Sequence, residues 1–123
     1  MDVLLYIGSA MILVWGVAHI VPTKSVVKGF GGISKDNTRI ITMEWAAEGI
    51  TLCFIGLLTL LVTILGGSQN QVSVIVYRTS AGMLVAMAIW TSLTGARTSI
   101  LPIKVCPLVK TVVAILLIIG SIL

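Results

Sequence analysis

Four long apolar stretches, each set off by polar or glycine-bearing residues, constrain this chain more than anything else in it. Crossing a hydrocarbon core of ~30 Å takes about 20 apolar residues as a helix. Helices also satisfy their own backbone polar groups, which lipid cannot do for them. The stretches run approximately over 3–21, 40–65, 72–93 and 107–123. They predict an all-α, polytopic membrane protein: a single domain built as a four-helix bundle of four transmembrane helices. Only 10% of the 123 residues are charged. That is too few to cover a soluble surface, and no soluble domain is left over. The chain opens Met1-Asp2-Val3 without a basic segment or a small-residue cleavage pattern, so the first stretch reads as a mature helix and not a signal peptide.

The joints carry their own signals. Pro22 stops span one, and the loop 23–39 is polar and glycine-rich. A short interfacial helix is expected over Ser25–Phe30, where Val26, Val27 and Phe30 lie close to helical spacing. The run Gly66-Gly67-Ser68-Gln69-Asn70-Gln71 is a short turn, which makes spans two and three antiparallel neighbours. Loop 94–106 holds Gly95, Arg97, Pro102 and Lys104, and Pro107 suits the first turn of span four.

Basic residues set the expected orientation. Lys24, Lys28, Lys35 and Arg39 sit in loop one, and Arg97 and Lys104 in loop three. Lys110 follows just inside span four, close enough to an end to snorkel. Loop two and both chain ends carry no lysine or arginine. The positive-inside rule then puts loops 23–39 and 94–106 in the cytoplasm and both termini outside, in a multi-pass protein of the plasma membrane. The net charge of +4 is explained by topology and anionic lipid headgroups, so membrane lipids are expected partners and nucleic acid is not. Cys53 falls inside a span and Cys106 in a loop, at different expected depths, so no disulfide is expected.

Ionisable residues within spans are costly and mark function by default. His19 lies three residues before Pro22. Glu44 and Glu48 open span two at the same end, and being four apart they share a helix face. Counted from Ile40, Glu44 is ~6 Å deep and Glu48 ~12 Å deep. The three can meet, and they are the candidate catalytic residues. Trp15, one turn from His19, Trp45 beside Glu44, and Trp90 near the same end of span three would wall a ligand site. Arg78 enters from the other side, ~9 Å deep, and its guanidinium is expected to reach toward Glu48. The outer half of spans one, two and four reads as almost purely aliphatic. A metal would need further strong ligands than one histidine and two carboxylates, so no metal site is expected; nothing in the sequence names a cofactor. Gly8, Gly16, Gly49, Cys53, Gly56 and the Gly82/Ala86 pair mark faces where helices approach closely.

The segment Glu44-Trp45-Ala46-Ala47-Glu48-Gly49, continuing to Gly56-Leu57-Leu58, is similar to the second helix of the DoxX-like group of four-span membrane proteins. Trp15-Gly16-Val17-Ala18-His19, followed by Gly29-Phe30, resembles that group's first helix and loop. The resemblance covers about half the chain. It implies a four-span bundle and either an oxidoreductase or a membrane assembly factor. The His-Glu-Glu-Trp set is also loosely similar to sterol-isomerase-type pockets of the EXPERA group, without an order or spacing that carries residues over.

Three functions compete. The first is a cytoplasm-facing acidic and aromatic pocket that binds a small, partly apolar molecule, with catalysis on it left open. The second is a proton-coupled transporter of a cationic substrate, a class that usually works as a homodimer around an embedded acid. The third is a non-catalytic assembly partner whose acids neutralise basic residues.

Overall fold

The computed structural model describes residues 2–123; Met1 lies outside them. Five α-helices follow in order: α1 (Asp2–Ile20), α2 (Thr23–Lys28), α3 (Lys35–Gly66), α4 (Gln71–Leu93) and α5 (Leu101–Ile122), with a 3₁₀ turn at Gly95–Arg97. Four of them, α1, α3, α4 and α5, are long and apolar enough to cross a membrane. Only about a third of each spanning stretch is buried inside the bundle. The outward faces carry side chains such as Val14, Phe54, Ile64 and Ile115. Water would penalise so continuous an apolar exterior, whereas lipid tails accept it. The chain is thus an all-α four-helix bundle with the character of a small membrane protein.

The helix limits differ from the hydropathy limits in three places, each for a local reason. α3 begins at Lys35, not near Ile40, because Ser34 caps it: the Ser34 hydroxyl accepts from the Asn37 backbone N–H at 3.1 Å, and Asp36 sits in the first turn. Its 32 residues rise ~48 Å, well beyond a ~30 Å core. α2 begins two residues before the expected Ser25, since the Pro22 carbonyl accepts from Val26 N–H and opens the turn. α5 begins at Leu101, not at Pro107, because Pro102 takes the first-turn position. Pro107 lies inside the helix, and Cys106 is a buried helical residue, not a loop residue. Both cysteines are free.

The spanning helices form a ring in chain order, α1–α3–α4–α5, closed by α5 against α1. The α1/α3 contact is the most extensive in the ring, and glycine lets the two backbones come close. A Cβ on Gly16 would stand 2.7 Å from the Cys53 backbone nitrogen and 2.9 Å from the Gly49 carbonyl oxygen. A Cβ on Gly56 would meet the Ser9 carbonyl at 2.8 Å. Neither neighbour is a side chain that could swing away. Gly82 behaves differently: its Cβ position has no neighbour within 4 Å, so this glycine serves no helix contact in the monomer.

The far half of the bundle is not purely aliphatic, as its hydropathy suggests. Ser9 and Thr59 share a buried hydrogen bond of 2.7 Å, and Thr63 and Tyr77 another of 2.7 Å. The Ser73 hydroxyl donates to the Val62 carbonyl at 3.3 Å. These bonds tie α1 to α3 and α3 to α4 near the 66–71 turn. Hydroxyls also return bonds to their own helix, Thr63 to the Thr59 carbonyl at 2.7 Å among them. Such bonds let the hydroxyls lie inside apolar spans, where their near-neutral hydropathy does not mark them. Between this belt and the opposite end lies the apolar core of Ile12, Leu52, Leu84, Val113 and Leu117.

Candidate functional site

α3 and α4 share the least contact of the ring neighbours. They are joined at the Thr63–Tyr77 end and are separated toward the opposite end by a cleft of about 1200 Å³. Glu44, Glu48 and Thr51 line it from α3, and Met83, Met87 and Trp90 from α4. Trp15 and His19 of α1, Cys106 of α5, residues of α2 and residues of the 95–98 turn complete its lining. Most of this wall is apolar.

The polar centre of the cleft is an ion pair that joins elements far apart in sequence. Lys110 of α5 is fully buried, and its ammonium donates to Glu48 Oε1. It also donates to the Thr91 hydroxyl of α4 at 3.0 Å. The other Glu48 oxygen, Oε2, lies 3.5 Å from His19 Nε2 of α1. All four spanning helices therefore contribute to one polar network, α3 through Glu48, α5 through Lys110, α1 through His19 beside Glu48, and α4 through Thr91 on Lys110. The asymmetry in exposure matters: the Lys110 side chain is 0% exposed and that of Glu48 29%. Lysine has no access to solvent and depends on Glu48 for charge balance, whereas Glu48 keeps one side toward the cleft.

His19 is held by backbone and ring together. Its imidazole stacks on the Trp45 indole with centroids 4.1 Å apart and planes 15° from parallel. Trp45 Nε1 donates to the His19 carbonyl at 2.8 Å, which fixes the last turn of α1 against α3. His19 Nε2 is a buried atom with no hydrogen-bond partner among the described residues. Trp15 Nε1 donates to Cys106 Sγ at 3.3 Å, which fixes a second indole across the α1/α5 contact.

Of the expected site residues, the structure brings together His19, Glu48, Trp15 and Trp45. Glu44 lines the cleft but is exposed and forms no ion pair among the described residues. Trp90 lines it too, with 69% of its surface exposed. Arg78 does not reach toward Glu48. It is exposed, its Nε donates to Ser121 Oγ at 3.4 Å near the end of α5, and it is absent from the cleft wall. The place beside Glu48 expected for Arg78 is taken by Lys110, a residue expected to snorkel to the surface. The misplaced start of α5 hid it. Counted from Pro102, Lys110 is ~12 Å into its helix, well past the first turns. No group of three or more metal-ligating side chains converges among the described residues.

Comparison with family models, with curated proteins and with solved structures gave no match.

Proposed function

We propose that the α3/α4 cleft binds a small, partly apolar molecule that enters sideways from the cytoplasmic leaflet, with Glu48 as its polar anchor. One observation carries this reading. Glu48 is braced by Lys110 and faced by His19, yet keeps a side open to a mostly apolar cleft of about 1200 Å³. A purely structural ion pair is better placed where both partners are closed off. Here the lysine is sealed and the carboxylate faces the cavity, where it can accept a hydrogen bond from a ligand donor. The Trp45 stack orients His19 beside it, with Nε2 3.5 Å from Glu48 Oε2. Trp15 and Trp90 offer flat apolar walls.

Lys24, Lys28, Lys35, Arg39, Arg97 and Lys104 lie toward the cleft end of the bundle, and the positive-inside rule assigns that end to the cytoplasm. The resemblance to DoxX-like four-span proteins is compatible with such a pocket. Transport of a cationic substrate has less support. Lys110 already balances Glu48, and the Leu52/Leu84/Val113 layer closes the bundle beyond it.

The reading is tested by thermal unfolding of the detergent-purified protein with and without a polar lipid extract. The extract should raise the melting temperature of the wild type. It should do so much less for Ala86→Trp, which fills the cleft wall, and for Glu48→Gln, which removes the anchor. Equal stabilisation of all three proteins rules the site out.

A further inference from the structure

We infer, resting on the binding reading above, that the ligand of the cleft is a lipophilic amine: a protonated primary ammonium seated at Glu44 and Glu48, on an apolar chain that lies along the tryptophans and methionines of the lining.

The hydrogen-bonding inventory of the lining argues first. Its donors are largely spent inside the protein. The hydroxyls of Thr51, Thr91, Thr94 and Thr98 each donate to a backbone carbonyl of their own segment, at 2.7 or 2.8 Å. Trp15 Nε1 donates to Cys106 Sγ, and Trp45 Nε1 to the His19 carbonyl. Lys110 is not part of the lining and gives its ammonium to Glu48 Oε1 and Thr91. No lysine or arginine lines the cleft among the described residues. Ser25 and Trp90 keep a donor free, but both are exposed. The acceptors remain. Glu44 forms no ion pair among the described residues, and Lys110 holds Glu48 by Oε1, which leaves Oε2. A threonine hydroxyl that has donated also keeps its lone pairs. A wall of acceptors suits a group that only donates, and an ammonium is such a group. An anion, which only accepts, would compete with both carboxylates.

His19 is a second and independent observation. Its side chain is only 9% exposed and lines the cleft, and its Nε2 has no hydrogen-bond partner among the described residues. Buried polar atoms ordinarily have one. Nε2 lies 3.5 Å from Glu48 Oε2. With the imidazole proton on Nδ1, Nε2 accepts, and the three N–H donors of one ammonium can serve both atoms.

Charge and surface agree. Lys110 balances Glu48, so Glu44 leaves the lining with a surplus negative charge. Glu44 and Glu48 are four apart on α3, which puts their Cβ atoms about 5–6 Å apart and lets one cation sit between them. All three tryptophans of the chain line the cleft, and indole faces attract cations. Met83 and Met87 adapt to a flexible chain. Passage across the membrane is not implied, since the Leu52/Leu84/Val113 layer closes the bundle beyond Glu48.

The test uses the full-length protein in a neutral detergent, with decylammonium, decyltrimethylammonium (cationic without an N–H), decanol (neutral) and decanoate (anionic) as probes. Ethylammonium is the control that lacks the chain. Because every tryptophan lines the cleft, binding is read as the probe concentration giving half the saturable change in tryptophan emission. Decylammonium should act at the lowest concentration. Glu44→Gln, at an exposed position without an ion pair, should weaken it on the order of 10-fold, and Glu44→Lys further still. Unchanged far-UV circular dichroism establishes that both variants are folded. Any other decyl probe acting as strongly, or Glu44→Gln binding decylammonium as well as wild type, overturns the inference while leaving the cleft reading intact. Ethylammonium acting at the same concentration overturns it in favour of a water-soluble amine. Failure of every probe, or binding untouched by Ala86→Trp, removes the cleft reading and the inference together.

Discussion

The Glu48–Lys110 pair makes a prediction whose magnitude follows from unequal exposure. Removing one partner of a buried ion pair costs about 3–5 kcal/mol, because the other charge is left uncompensated. The two halves of this pair are not equivalent. Glu48→Gln strands an ammonium that is 0% exposed and retains only Thr91 at 3.0 Å; the full cost of about 3–5 kcal/mol is expected. Lys110→Met leaves a carboxylate that is 29% exposed, beside His19 and able to draw water from the cleft. Methionine also fills much of the lysine's volume, so a cost of about 1–2 kcal/mol is expected. The double variant replaces both charges and should be less damaged than Glu48→Gln alone. A coupling energy of at least ~1.5 kcal/mol is expected from the cycle. The assay is reversible unfolding in mixed micelles titrated with a denaturing detergent, followed by tryptophan fluorescence and circular dichroism. Additive single effects, or a larger loss from Lys110→Met than from Glu48→Gln, refute the reasoning.

Other substitutions check the packing and the discarded partner. Gly56→Ala places a Cβ against the Ser9 carbonyl at 2.8 Å and Leu13 N at 2.9 Å, so α1 must move and a loss of about 1–3 kcal/mol is expected. Gly82→Ala meets nothing within 4 Å and should be neutral, or stabilising by up to ~1 kcal/mol through helix propensity; the same unfolding assay separates the two. Tyr77→Phe removes the bond to Thr63 while keeping the ring buried, and should cost about 0.5–1.5 kcal/mol. Arg78→Ala should leave lipid-dependent stabilisation unchanged, because Arg78 faces Ser121 and not Glu48.

What the chain revealed before its structure, and what it withheld, divides along one physical line. The number and order of spans follow from runs of apolar residues, and those runs are as long as the solvent demands. The helix ends do not follow from hydropathy, because a helix continues wherever its caps allow. Ser34 and Pro102 extend α3 and α5 past the apolar limits. That offset propagated into the site. With α5 started at Pro107, Lys110 looked superficial and Arg78 looked like the nearer partner for Glu48. His19, Glu48, Trp15 and Trp45 were legible because helical spacing on adjacent spans brings them to one end. The hydroxyl belt from Ser9 to Tyr77 was not, since serine and threonine are nearly neutral in a hydropathy sum and their partners come from other helices. The cleft was not legible at all. It arises from α3 and α4 parting above the Thr63–Tyr77 bond, a matter of tertiary packing that small residues permit but do not dictate.

The cleft between α3 and α4 as a ligand site is the central claim, and photolabelling from within the bilayer tests it most directly. A photoactivatable group placed on a lipid acyl chain, irradiated with the protein in vesicles and mapped by peptide mass spectrometry, should concentrate on Glu44–Thr51 and Met83–Thr94, and Ala86→Trp should abolish that excess. Labelling spread evenly over outward-facing positions such as Phe54, Ile64 and Ile115, with no excess at the cleft, contradicts it.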